Sequence, residues 1–174
     1  MRKVILGLAV SLDGFIEGPN GEFDWCFTNQ DYGMSDFFKR IDAVFYGRKS
    51  YELAEQMNAE GNDIPGMPKM EEYIFSNTLT KVKEGATIVS GDIEKEVKAI
   101  KQQPGKDIWL FGGAELTGAL MNMGLVDELW LSIHPILLGN GKPLFTGITD
   151  RVHLKLLESK TYDTGLVSVK YGLQ

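Results

Sequence analysis

The sequence predicts one α/β domain: a mostly parallel open sheet flanked by helices, with an antiparallel hairpin at its C-terminal edge. Three observations predict it. Strand-like apolar runs alternate with helical patterns along most of the chain, the signature of parallel strands joined by helical crossovers. The first run, residues 4–10, is apolar on both alternating faces, as a strand covered above and below by helices must be. The last third turns at Asp163-Thr164-Gly165 between two strand-like segments, 153–160 and 166–171.

The elements follow in order. Residues 4–10 form a central strand that ends at Ser11-Leu12-Asp13-Gly14, which leaves the apolar run too short for a signal peptide or membrane span. Residues 13–33 form a long loop with Gly14, Gly18, Pro19, Asn20 and Gly21, followed by Phe23, Trp25, Phe27 and Tyr32. Loops of that length are commonly functional, and the aromatics suit a flat ligand. Ser35 caps a short helix carrying Phe37, Phe38 and Ile41. Residues 43–46 make a strand broken by Gly47, and 50–57 have a helical composition. The stretch 58–70, with Gly61, Pro65, Gly66 and Pro68, is a surface connection. Residues 73–75 and 87–89 read as short strands. Asp92 then caps a helix with Ile93, Val97 and Ile100 at helical spacing and Glu94 and Glu96 in the favourable first turn. Pro104-Gly105 ends it. Residues 108–111 are a buried strand leading through Gly112-Gly113 into a helix with Leu116 and Leu120 inward and Gly124 as its stop. Residues 128–138 form a long strand before the hairpin.

Composition narrows the function. At 174 residues and 43% hydrophobic, the chain buries a proper core. Eighteen basic against twenty-four acidic residues give a formal charge of −6, with the cations scattered, so no nucleic-acid partner is expected. Cys26, the single cysteine, makes neither an internal disulfide nor a cysteine zinc site, and the cytoplasm is the expected compartment. Gly-x-Gly-x-x-Gly after the first strand, the P-loop motif, His-Glu-x-x-His and Gly-x-Ser-x-Gly are all missing. His134 and His153 lie far apart in predicted strands and read as structural or surface residues.

Two strand-to-helix junctions look like anion sites. In Tyr46-Gly47-Arg48-Lys49-Ser50-Tyr51-Glu52, free N–H groups at a helix start combine with two cations and a hydroxyl, which suits a nucleotide carrying an extra phosphate. The same residues also fit a tight turn with solvated cations. In Phe111-Gly112-Gly113-Ala114-Glu115-Leu116, adjacent glycines admit a diphosphate close to the backbone, or simply allow close helix-strand packing. Two such junctions on one sheet edge point to a ligand more strongly than either does, because open α/β sheets bind along that edge. Asp13 and Glu17, beside Gly14, Phe15 and Ile16, stand at the same edge.

These segments, together with Val126-Asp127-Glu128-Leu129 and the run from His134-Pro135 through Gly139-Asn140-Gly141-Lys142-Pro143-Leu144-Phe145, resemble the dihydrofolate reductase-like superfamily. Within it the chain is most similar to the reductase C-terminal domain of the bifunctional riboflavin-biosynthesis deaminase-reductase, in a small stand-alone form. The resemblance implies NADPH as hydride donor. It places Arg48, Lys49 and Ser50, after Gly47, on the 2′-phosphate or diphosphate, and Ser76 and Asn77 by the adenosine. Gly112, Gly113, Ala114 and Glu115, with Leu116 behind them, would cradle the diphosphate. Ala9, Val10, Asp13, Gly14 and Ile16 would line the nicotinamide and substrate side. One cysteine cannot supply the deaminase zinc site, so a bifunctional enzyme is not expected. Folate reductases bind the pterin through a carboxylate on the first helix; here that is Asp36, or in another register the position holds Met34.

The expected function is therefore an NADPH-dependent reductase of a small heterocyclic or ribosylated substrate, the nearest candidate being 5-amino-6-(5-phosphoribosylamino)uracil. Asp13 and Asp36 are the catalytic candidates, for substrate orientation or proton supply. The alternatives are a nucleotide-binding protein without catalysis, a pterin reductase of the dihydrofolate reductase type, or a structural domain. No metal and no membrane association are expected. A homodimer is, through the 128–138 strand and the C-terminal hairpin.

Overall fold

A computed structural model describes residues 1–62 and 64–174. Its main sheet has eight strands; in the order in which they lie side by side they are β5 (Ala86–Val89), β4 (Glu71–Phe75), β3 (Ile41–Gly47), β6 (Asp107–Gly112), β1 (Val4–Ser11), β7 (Glu128–His134), β10 (Val167–Leu173) and β9 (Leu154–Thr161). All neighbours pair in parallel except β10 with β7 and with β9. Two short strands, β2 (Phe15–Glu17) and β8 (Lys142–Pro143), pair outside it. The helices are α1 (Met34–Arg40), α2 (Arg48–Ala59), α3 (Ile93–Gln102) and α4 (Ala114–Asn122). Among the described residues, no helix is long and apolar enough to cross a membrane.

Alternation along the strands builds two cores. Val4, Leu6 and Val10 of β1 join Phe45, Ile108, Leu110 and Leu129 against Val97 and Ile100 of α3 and Leu116 and Leu120 of α4. On the opposite face Ile5, Val44, Tyr46, Trp109 and Trp130 pack against Phe37 and Phe38 of α1 and Tyr51 of α2. A strand buried on both faces needs apolar residues at successive positions, which is what β1 shows from Val4 to Val10. Asp92 caps α3 by accepting from the Lys95 N–H, and Gly124 turns the chain after α4 at φ 64°.

Several local expectations change. Ser35 does not cap α1: the cap position is Gly33, at φ 91°, and the Asp31 carboxylate accepts the Ser35 N–H. Ile41 opens β3, and α2 begins at Arg48. β7 ends at His134, because Pro135 has no N–H to extend a ladder, and His153 precedes β9. The loop 13–33 contains β2.

Candidate active site

The face of β1 towards α1 and α2 runs from Ile5 to Gly7 to Ala9, so side-chain bulk falls away towards the carboxyl end. Gly7 is required there: a Cβ would come within 2.8 Å of Phe37, and its carbonyl accepts the Trp109 indole N–H at 2.7 Å. The space left is a cleft of about 730 Å³. Its floor is Trp109 and Phe111 of β6 with Trp130, Ser132 and His134 of β7; its walls are Met34 and Phe37 of α1, Leu53 and Met57 of α2, and Phe23, Cys26, Phe27 and Tyr32 of the loop. Phe37 meets both tryptophans edge-on, at 5.4 and 5.1 Å between ring centres.

The two glycine junctions meet at one side of this cleft. β3 and β6 are hydrogen-bonded neighbours with Tyr46 opposite Gly112. A Cβ on Gly113 would lie 3.5 Å from Ser50 Oγ and 3.7 Å from Gly47 Cα. Gly112 and Gly113 have φ of 134° and 100°, a region that favours glycine, and a Cβ on Gly112 would meet nothing within 4 Å. Neither α2 nor α4 has a side-chain cap, so the first N–H groups of both helices stay free for an anion. The Thr117 hydroxyl, buried on the lining, has no hydrogen-bond partner. An open glycine cradle, uncapped helix starts and an orphaned hydroxyl fit the diphosphate of a dinucleotide.

The predicted residues divide. Ala9, Ile16, Ser50, Gly112, Gly113 and Ala114 line the cleft. Gly47 packs behind Gly113, while Val10 and Leu116 belong to the core. Gly14 turns the chain after β1 at φ 89°. Arg48 and Lys49 are exposed at the start of α2, Arg48 pairing with Glu52 at 3.1 Å, and Glu115 is exposed on α4. Ser76 and Asn77 organise the loop after β4: the Ser76 hydroxyl accepts the N–H groups of Thr78 and Leu79, and the Asn77 amide oxygen that of Gly91.

Both catalytic candidates stand outside the cleft lining. Asp13 is exposed; its carboxylate accepts the Ser11 hydroxyl at 2.6 Å and the N–H groups of Leu138 and Gly139 at 3.1 and 2.8 Å. These bonds, the Ser11 hydroxyl first, hold its pKa below the ordinary value and make it a clamp between the turn after β1 and the segment beyond β7. Asp36 sits on the solvent side of α1 and pairs with Lys39 at 2.8 Å, which lowers its pKa. The position that faces the cleft in the other register is Met34.

Sequence reasoning missed Asp31 and Lys142, both on the lining, which also includes His134, read from the sequence as a structural or surface residue. His134 is buried, with Nδ1 against the Ser132 carbonyl at 2.9 Å and Nε2 accepting the Phe27 N–H at 3.0 Å. Burial pushes its pKa down against the opposing pull of Ser132, so the ring is neutral and pins the aromatic loop. Its place at the carboxyl end of β7, the ligand edge, was the available signal. Burial, with Asp24 nearby, raises the Cys26 thiol to about 11, which keeps it protonated at neutral pH.

Comparison with known proteins decides the family: the RibD C-terminal domain matches residues 2–168. The chain belongs to the RibD C-terminal domain family. Bacillus subtilis YyaP is 45% identical over 98% of this chain and 94% of its own length. A Shewanella sp. PV-4 protein assigned to riboflavin biosynthesis superposes with a TM-score of 0.84 at 23% identity, covering 100% of this chain and 99% of that one. Dihydrofolate reductase from Enterococcus faecalis, in complex with NADP(H), gives 0.69 at 17% identity over 99% of this chain and 96% of the enzyme. The RibD C-terminal domain of this chain therefore has the dihydrofolate reductase-like fold.

Proposed function

We propose that the protein is an NADPH-dependent reductase of a small heterocyclic substrate. One observation carries the reading: the glycine cradle and the aromatic cleft are a single space, with Gly112, Gly113, Ala114 and Ser50 on the same lining as Phe27, Trp109 and Trp130. NADPH supplies a hydride when bound. The chain's own residues supply position and exclusion of water. The two glycines admit the diphosphate to the backbone, and the uncapped starts of α2 and α4 answer its charge. Arg48 and Lys49 reach the 2′-phosphate once Arg48 leaves Glu52, an exposed pair that is cheap to break. The aromatic walls hold a flat ring against the floor of the sheet. His134 is not the proton source, because both its nitrogens are engaged; among the described residues, the ionisable carboxyl and amino groups left on the lining are Asp31, Glu17 and Lys142.

Titration with NADPH and separately NADH, read by nucleotide fluorescence and thermal shift, tests this. Saturable binding that favours NADPH is expected, with the preference narrowed in the Arg48→Ala, Lys49→Ala variant. Binding of neither nucleotide overturns the reading.

A homodimer is proposed as well, through β9 rather than β7. β7 lies inside the sheet between β1 and β10, whereas β9 is an edge strand exposed along its whole length, with Leu154, Leu156 and Leu157 outward. Antiparallel self-pairing with Leu156 opposite Leu157 sets Lys155 against Glu158 across the two-fold axis. Light scattering of the wild type and of Leu156→Lys distinguishes dimer from monomer.

A further inference from the structure

Resting on the reductase reading, we infer that the substrate is a planar ring system that carries no phosphate. The substrate end of the cleft is built for a flat, uncharged or cationic group. Phe23, Phe27, Tyr32, Phe37, Trp109 and Trp130 line it. Its fixed charge is negative. Among the described residues, the charged side chains on the lining are Glu17, Asp31 and Lys142, and the Lys142 ammonium already faces Glu17 at 3.8 Å.

A phosphate monoester brings close to two negative charges at neutral pH and needs guanidinium or ammonium groups, or free helix N–H groups, to replace its water. At this end the one ammonium on the lining, Lys142, is outnumbered by the Glu17 and Asp31 carboxylates, which leaves a net negative charge among the described residues. Arg40, at the end of α1, is committed to Asp107 and Glu128 at the amino ends of β6 and β7, away from the cleft, at 2.7 and 2.9 Å. Lys170 stacks on the Trp130 ring at 3.6 Å and pairs with Glu158 at 2.8 Å. The start of α1, which borders the cleft, is answered by the protein's own anion, since the Asp31 carboxylate accepts the Ser35 N–H at 3.1 Å. Asp31 thus fills with a carboxylate the place where a substrate phosphate would find N–H donors. The uncapped helix starts and the exposed Arg48 and Lys49 lie at the cofactor end, by the glycine cradle. The ribotide suggested by the family resemblance therefore fits poorly, while the same aminopyrimidine without its phosphate fits.

The test uses that matched pair: 5-amino-6-ribosylaminouracil and its 5′-phosphate, each titrated into the full chain with and without saturating NADPH and followed by quenching of tryptophan fluorescence. The unphosphorylated compound should bind about tenfold tighter or better, since like charges across a partly apolar cleft cost that much. Asp31→Asn and Glu17→Gln should each shift the ratio of the two affinities towards the phosphate by about threefold. Equal or tighter binding of the phosphate by the wild type, or binding of neither compound, overturns the inference. Because the readout is substrate binding, failure of the reductase reading shows itself separately, as loss of the NADPH arm alone.

Discussion

The two ends of the parallel strands are built on opposite principles. At the amino ends charge answers charge: Arg2 is buried against Asp42, Lys3 meets Glu128 at 2.7 Å, Arg40 bridges Asp107 and Glu128, and Lys101 reaches Asp127 at 2.7 Å. At the carboxyl ends stand Gly47, Gly112 and His134, two uncapped helix starts and an apolar cleft. One end satisfies itself and has nothing left for a ligand. The other carries open N–H donors beside an apolar cleft, where a bound nucleotide would raise stability by mass action. One sheet thus separates the charge pairs that hold the fold from the cleft to which the proposed ligand is assigned.

The largest effect should come from breaking the closed end. The Glu128 side chain is 9% exposed and accepts from both Lys3 and Arg40. Glu128→Gln leaves two cations short of a partner and should cost about 3 kcal/mol, lowering Tm by about 6–12 °C for a chain of this size. NADPH affinity, set at the other end, should hold. Burial alone would raise the Glu128 pKa, but hydrogen bonds from Lys3 and Arg40 prevail and lower it. Its stabilisation is therefore present above the ordinary carboxylate range and lost as pH falls through the lowered value. Denaturant melts at neutral and acid pH should show a smaller acid loss for Glu128→Gln than for the wild type.

Breaking the open end should reverse the pattern. Gly112→Ala places a Cβ in the empty cradle at φ 134°, so isothermal titration should show about a tenfold or greater loss of NADPH affinity, against a strain of only about 1–3 kcal/mol in the fold. A smaller effect belongs to His134, whose neutral Nε2 holds the Phe27 N–H. The unfolded chain takes up a proton at this ring more readily than the native one, so this contribution is present above the ordinary His value of 6.5 and is lost as pH falls below it. His134→Gln, which keeps an acceptor without the titration, should show a flatter Tm between about pH 7.5 and 5.5, with a loss of about 1 kcal/mol at neutral pH.

What the sequence made legible was what short-range physics decides. The apolar alternation in residues 4–10 and 108–111 reports burial on two faces, and Asp92, Gly124 and the glycine pair act within a turn of themselves. The open-end cradle was therefore readable as Gly47, Ser50, Gly112 and Gly113. The cleft was not. Trp109 of β6, Trp130 and His134 of β7 and Asp31 of the loop come from three separate segments and meet only because β6, β1 and β7 are neighbours and the 13–33 loop folds back on β7. Ser35 lost its capping role for a related reason: the positive φ of Gly33 turns the chain so that Asp31 reaches the helix first.

The smallest effect should come from Asp36→Asn, and it sharpens the contrast between the two carboxylates at the start of α1. Asp36 and Lys39 are both about three-quarters exposed and pair at i,i+3. Such pairs contribute little in water, because solvent and salt screen the attraction and two mobile side chains must be ordered to make it. Neither residue touches the cleft, so Tm, NADPH affinity and turnover should all match the wild type. Asp31, five residues earlier, borders the cleft and answers the α1 amides, so its substitution should change ligand discrimination. Measured in parallel, a loss of turnover in Asp36→Asn with none in Asp31→Asn would move the substrate to the outer face of α1 and away from the aromatic cleft.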